Sequence, residues 1–106
     1  MVSTAIKMPP TNEQNTIERL VALRDNAEEA TRLAATFEKV SHLYRAVTCL
    51  ELAIEFYLQY LTHNNHSDDD NETIQRHIRE RRADIVRIKK QIESKKNALR
   101  KIVLIK

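Results

Sequence analysis

The residues of this 106-residue chain that could support chemistry are few, and their spacing argues against most of the chemistry they suggest. His63 and His66, followed by Asp68, Asp69 and Asp70, have the composition of a metal cluster. Two imidazoles three positions apart make useful ligands when a rigid helix aims both rings at one point. The stretch from Thr62 to Asn71 is instead polar throughout and rich in turn formers, so it reads as a loop leading into a helix cap. No metal and no other cofactor is expected. Ser67, directly ahead of three aspartates, is a candidate phosphorylation site for an acidophilic kinase, and a phosphate there would add charge near a helix start. Asn65-His66-Ser67 and Asn71-Glu72-Thr73 match glycosylation sequons, which carry no meaning without a secretory signal.

Catalysis has equally little support. Cys49 falls inside an apolar stretch, where an inert buried thiol is the ordinary outcome, and His42 stands about two helical turns away on another face. Glu51 and Glu55 share one helix face at i and i+4, yet no apolar surroundings would bury either and raise its pKa. They read as a solvated or salt-paired edge. No catalytic residue is assigned, and the expectation is a chain that is not an enzyme.

The elements that must position any site are helices. The chain contains no Gly and only the adjacent Pro9 and Pro10. Hairpins and phosphate-cradling loops mostly need Gly at positive φ, so they are poorly served here. Residues 1–10 read as a flexible arm, set off from the rest of the chain by the proline pair. Residues 11–106 read as a helical bundle with helices about 12–39, 42–62 and 71–104. Thr11 and Gln14 have the spacing of a capping box. Ile17, Leu20, Val21, Leu23, Ala27, Ala30, Ala34, Phe37 and Val40 then recur at steps close to three and four. Ser41 is the N-cap candidate for the second helix. That helix carries Leu43, Val47, Leu50, Ile54, Tyr57 and Leu61, with a second strip of Ala46, Ala53, Phe56 and Tyr60. A helix so broadly apolar sits mid-bundle or keeps surface for a partner. The third helix has a narrow stripe of Ile74, Ile78, Ile85, Ile88, Ile92, Leu99 and Ile102, interrupted by Arg81 and Lys95. The expected fold is all-α, a three-helix antiparallel bundle with a long basic third helix.

Charge is divided along the chain. Residues 1–73 carry a formal net of −6 and residues 74–106 a net of +9. One reading sets Glu28, Glu29, Glu38, Glu51 and Glu55 against the basic third helix, helping to fix helix order. Another leaves that helix to bind an acidic peptide, nucleic acid or an anionic membrane. Nucleic acid is disfavoured, because no Phe, Tyr or Trp in the third helix can stack a base and its cations ring the helix. Neither a signal peptide nor a membrane span is read in the sequence, and the lone Cys49 fits a reducing, cytoplasmic setting.

From Ala27 to Ile92 the spacing of Ala34, Glu38, Leu43, Ala46, Leu50, Ala53, Ile54, Tyr57 and Leu61 resembles the microtubule-interacting and trafficking (MIT) domain. In the third helix the resemblance continues through Ile74, Ile78, Arg81, Ile85 and Ile88, although Arg81 and Arg82 stand where many members have a Tyr-Leu pair. The resemblance implies a three-helix adaptor of ESCRT-associated proteins that binds a peptide motif from the tail of an ESCRT-III subunit. The groove between helices two and three, or between one and three, would receive it. For the former, Ala53, Phe56, Tyr60, Ile78, Ile85 and Ile88 are the expected lining, with Arg79, Arg82 and Lys89 as a charged rim. The family commonly presents acidic residues there, so this basic rim suits an acidic motif. A second expectation comes from the seven-residue spacing of Ile78, Ile85, Ile92 and Leu99, which would dimerise the third helix as a coiled coil, making a homodimer.

Overall fold

The computed structural model describes residues 13–64 and 68–105. The arm at 1–10, Thr11 of the capping box, His66 and Ser67 lie outside the described residues. Three helices occur in the order α1 Glu13–Lys39, α2 Leu43–His63 and α3 Asp68–Ile105, and the described residues form an all-α three-helix bundle. α3 begins at Asp68 rather than at 71. Asp68, Asp69 and Asp70 occupy its first turn, where carboxylates are stabilised by the unsatisfied N–H groups and dipole of the helix start. The interhelical loop is correspondingly shorter. Its two sides are clasped by the Asn64 side-chain amide, which donates to Asn71 Oδ1 at 3.0 Å, and Asn64 itself is buried.

The turn between α1 and α2 corrects the expectation that Ser41 caps α2. Ser41 is in the left-handed region at φ 65°, and His42 is the N-cap, with no side-chain cap bond. The His42 N–H donates to the Phe37 carbonyl at 2.8 Å and the Ser41 N–H to the Glu38 carbonyl at 3.0 Å. These two bonds are those of a Schellman motif closing α1, in which the left-handed position usually falls to Gly. The contact that accompanies such a motif is present too, because the Phe37 and His42 rings stack with centroids 6.1 Å apart. Ser41 therefore ends one helix rather than starting the next.

α2 is the central helix. It packs on both neighbours, more extensively on α1 than on α3, whereas the α1 and α3 backbones hardly approach each other. This position explains its broad apolar surface: Leu43, Ala46, Val47, Leu50, Ala53, Ile54, Tyr57 and Tyr60 are all buried. Small side chains at Ala27, Ala30 and Ala34 of α1 and at Ala46 and Ala53 of α2 are buried as well, which permits close approach of the helices. The core has two parts. One gathers Leu23, Ala27, Tyr57, Tyr60, Ile74 and Ile78, and the other Ala34, Leu43, Val47, Leu50 and Ile88. Ile85 packs against both.

The helices differ in length, and that difference decides which stripe residues are covered. α1 has 27 residues, α2 has 21 and α3 has 38. At a rise of 1.5 Å per residue these span about 40, 32 and 57 Å. Ile17, near the first turns of α1, and Val21, off the line of Leu20, Leu23 and Ala27 that packs on the core, are exposed although both are expected on the packed stripe. Val40, also expected there, is exposed in the turn. At the other end of the bundle α3 runs past the start of α2. From residue 93 to 104 every side chain is exposed, Leu99, Ile102, Val103 and Leu104 included.

Candidate interaction surface

Of the six residues expected to line a groove between α2 and α3, four are closed inside the bundle. Ala53, Tyr60, Ile78 and Ile88 are at most 5% exposed, so their side chains hold the helices together and present almost nothing to a ligand. The cause is α2's central position, which commits its apolar strips to both neighbours. Phe56 and Ile85 are half-buried, and each packs against the core from its edge. The rim residues Arg79, Arg82 and Lys89 are exposed, and none has an ion-pair partner among the described residues. Arg82 and Lys89 each stand four positions after an isoleucine of the α3 seam, Ile78 and Ile85, on the same side of the helix. Lys96 repeats this relation to Ile92. A basic row about 21 Å long thus runs beside the seam from Arg82 to Lys96.

The expectation that five acidic residues of the first two helices face α3 holds for one of them. Glu38 accepts hydrogen bonds from the Arg87 guanidinium through both carboxylate oxygens, the second at 3.2 Å, and from the Gln91 amide at 3.3 Å. The Arg87 hydrogen bond, foremost, holds the Glu38 carboxyl below the usual carboxylate range, and Glu38 in turn raises the Arg87 pKa. Glu29 pairs with Arg32 of its own helix, and Glu55 accepts only from Gln59, also its own. Glu28 and Glu51 have no ion-pair partner among the described residues.

Arg81, which interrupts the α3 stripe, is tolerated because its side chain is satisfied locally. Its Nε donates to Asp84 Oδ2 at 3.0 Å, and Glu80 lies 3.7 Å away. Nearby, His77 stacks on Tyr57 with centroids 5.3 Å apart and planes 11° from parallel. Burial, then the Glu28 carboxylate, pushes the Tyr57 phenol above its ordinary pKa, while Arg81, the Thr31 hydroxyl and Arg24 act in the opposite sense. Groups from α1 and α3 thus meet around a buried hydroxyl of α2. His77 Nδ1 is buried there without a hydrogen-bond partner among the described residues, and the Glu80 carboxylate stops 3.9 Å short. The amino-acid pattern carries no sign of this stack, because His77 is a polar type beside the aliphatic stripe rather than part of it.

Residue patterns also miss Tyr44. It lies off the apolar strips of α2, is 64% exposed, and lines a cleft of about 220 Å³ with Leu43, Ile92, Lys95, Lys96 and Leu99. A large aromatic outside the packed stripe is the signal that could have found it. Cys49 is half-buried and free, and no group of three or more His, Cys, Asp or Glu among the described residues is placed to hold a metal. No described helix is long and apolar enough to cross a membrane. No protein-family model, curated protein or solved structure matches the chain significantly.

Proposed function

We propose that the chain is a non-enzymatic helical interaction module, similar in plan to an MIT domain, that takes an acidic peptide segment of a partner protein along α3. The observation that carries this reading is the row of Arg79, Arg82 and Lys89, unpaired among the described residues, beside the half-buried Ile85. Cations of this kind next to a partly open apolar edge are the two elements of peptide recognition, a charged rim and an anchor contact. A basic α3 selects against the basic ligands that acidic grooves take, so the partner segment is acidic. The MIT resemblance suggests an acidic stretch of an ESCRT-III tail as its source.

The test is an amide NMR titration of the labelled chain with acidic and basic ESCRT-III tail peptides, alongside a light-scattering mass. Saturable shifts confined to α2 and α3 in a monomer, for acidic peptides, are the expected result. The double variant Arg82→Glu and Lys89→Glu should weaken binding at least tenfold. Absence of shifts with every acidic peptide, or equal affinity of the double variant, refutes the proposal.

A further inference from the structure

The exposed end of α3 continues a seam that is packed elsewhere in the same helix. Ile78, Ile85, Ile92 and Leu99 recur every seven residues, with Ile88 and Ile102 three positions after Ile85 and Leu99. Where α2 runs alongside, this seam is covered: Ile78 and Ile88 are buried, and Ile85 and Ile92 are half-buried. Past Leu43, the first residue of α2, the same seam continues with nothing over it among the described residues, and Leu99 and Ile102 are 63% and 56% exposed. Val103 and Leu104 are more exposed still. The surface missing from this seam is therefore a helix lying in the line of α2. The cleft between Tyr44 and Leu99 marks where the end of such a helix would meet the bundle.

Charge identifies the occupant. Between 93 and 104 the cations are Lys95, Lys96, Arg100 and Lys101, and the one acid is Glu93. Glu93 reaches Arg100 at 4.0 Å, while Lys95, Lys96 and Lys101 have no ion-pair partner among the described residues. Charges flanking an apolar heptad seam set partner choice in helix pairs. A second copy laid antiparallel on this segment would bring four cations against four within about one Debye length. A membrane surface would meet a narrow seam that Lys95 interrupts and Lys96 borders, and no aromatic anchor lies on the segment. An acidic flank satisfies both the seam and its borders.

We propose that residues 93–104 of α3, with Tyr44, form a docking surface for an acidic amphipathic helix of a partner protein, placed end to end with α2. This surface continues the basic row past Lys89 but uses residues other than the rim at Arg79, Arg82 and Lys89, and it does not depend on the peptide reading above. The probe is a four-heptad synthetic peptide with Leu at the seam positions and Glu at the flanks, compared with the same peptide carrying Lys at the flanks. Calorimetry and sedimentation with the full chain should give a one-to-one complex at least tenfold tighter for the Glu peptide.

Leu99→Asp with Ile102→Asp should abolish that complex without loss of helicity. Lys95→Glu with Lys96→Glu should reverse the peptide preference, an outcome that a folding defect cannot produce. Arg82→Glu with Lys89→Glu should leave the affinity within twofold, so the fate of this proposal can be told from that of the rim. Equal binding of both peptides overturns it. A dimer mass for the free chain, abolished by Leu99→Asp, assigns the seam to a second copy and overturns it too. Cosedimentation with vesicles of phosphatidylcholine and phosphatidylserine, lost in the same variant, with no peptide complex, assigns it to a membrane and likewise overturns it.

Discussion

Arg87 of α3 holds both carboxylate oxygens of Glu38, in the last turns of α1, in a fork that joins two helices whose backbones otherwise hardly approach. Glu38 has its pKa lowered in the fold, so its contribution is present above the unfolded carboxylate range and is lost as pH falls through the folded value. Glu38→Gln should therefore destabilise the chain at neutral pH by up to about 1 kcal/mol, the range of partly exposed pairs. The difference between the thermal melts of the two proteins should be full above the ordinary carboxylate range and shrink as pH falls below it, closing once the wild-type carboxylate is protonated. A gap that does not narrow at all as pH falls below the carboxylate range would deny the pair this role.

Ser41 occupies a left-handed position that costs a non-glycine residue roughly 1 kcal/mol. Ser41→Gly should recover a comparable amount and raise the melting temperature by several degrees. Ser41→Val, branched at Cβ, should lower it. If Gly lowers it as well, then the Schellman turn is not what limits stability at this corner.

His77 buries an Nδ1 that has no hydrogen-bond partner among the described residues, in the middle of a favourable ring contact with Tyr57. Replacing the imidazole by a phenyl ring keeps the stacking partner and removes the unsatisfied atom. His77→Phe should be neutral or stabilising by about 1 kcal/mol, and His77→Ala destabilising, in urea unfolding curves. A clear loss of stability in the Phe variant would indicate that Nδ1 has a partner in solution.

Ile85 and Ile88 should separate in kind. Ile88 is 1% exposed, and truncation to Ala should cost about 2–5 kcal/mol. Ile85 packs against both parts of the core, so Ile85→Asp should unfold much of the chain by circular dichroism instead of selectively removing a binding contact. A well-folded Ile85→Asp variant would show that the edge of the α2–α3 contact can admit water.

The helices are legible in the residue pattern because 3.6-residue periodicity survives in a chain without Gly, and the broad apolar surface of α2 by itself indicates a central position. Three features stay hidden for definite reasons. Periodicity reports which face of a helix is apolar but not which neighbour covers it, so Ala53, Tyr60, Ile78 and Ile88 read equally well as groove lining and as core. Helix length relative to a neighbour is likewise a property of two elements together, which is why Leu99 and Ile102 read as part of the α3 stripe and are exposed. The turn at Ser41 misleads because a serine near a helix start resembles an N-cap, and only the backbone angle shows that it closes the helix before.

The central position of α2 also orders how the molecule opens. α1 and α2 share the larger contact and are joined by a short turn, while α3 is held by α2, by the Glu38–Arg87 fork and by the clasp of Asn64 on Asn71. Native-state hydrogen exchange should therefore divide the backbone into three tiers. Amides of 93–104 exchange first, those of α3 alongside α2 next as one unit, and those of the α1–α2 hairpin last. Whatever binds α3 then acts on the least protected part of the fold, and its affinity registers as slowed exchange far beyond the residues it touches.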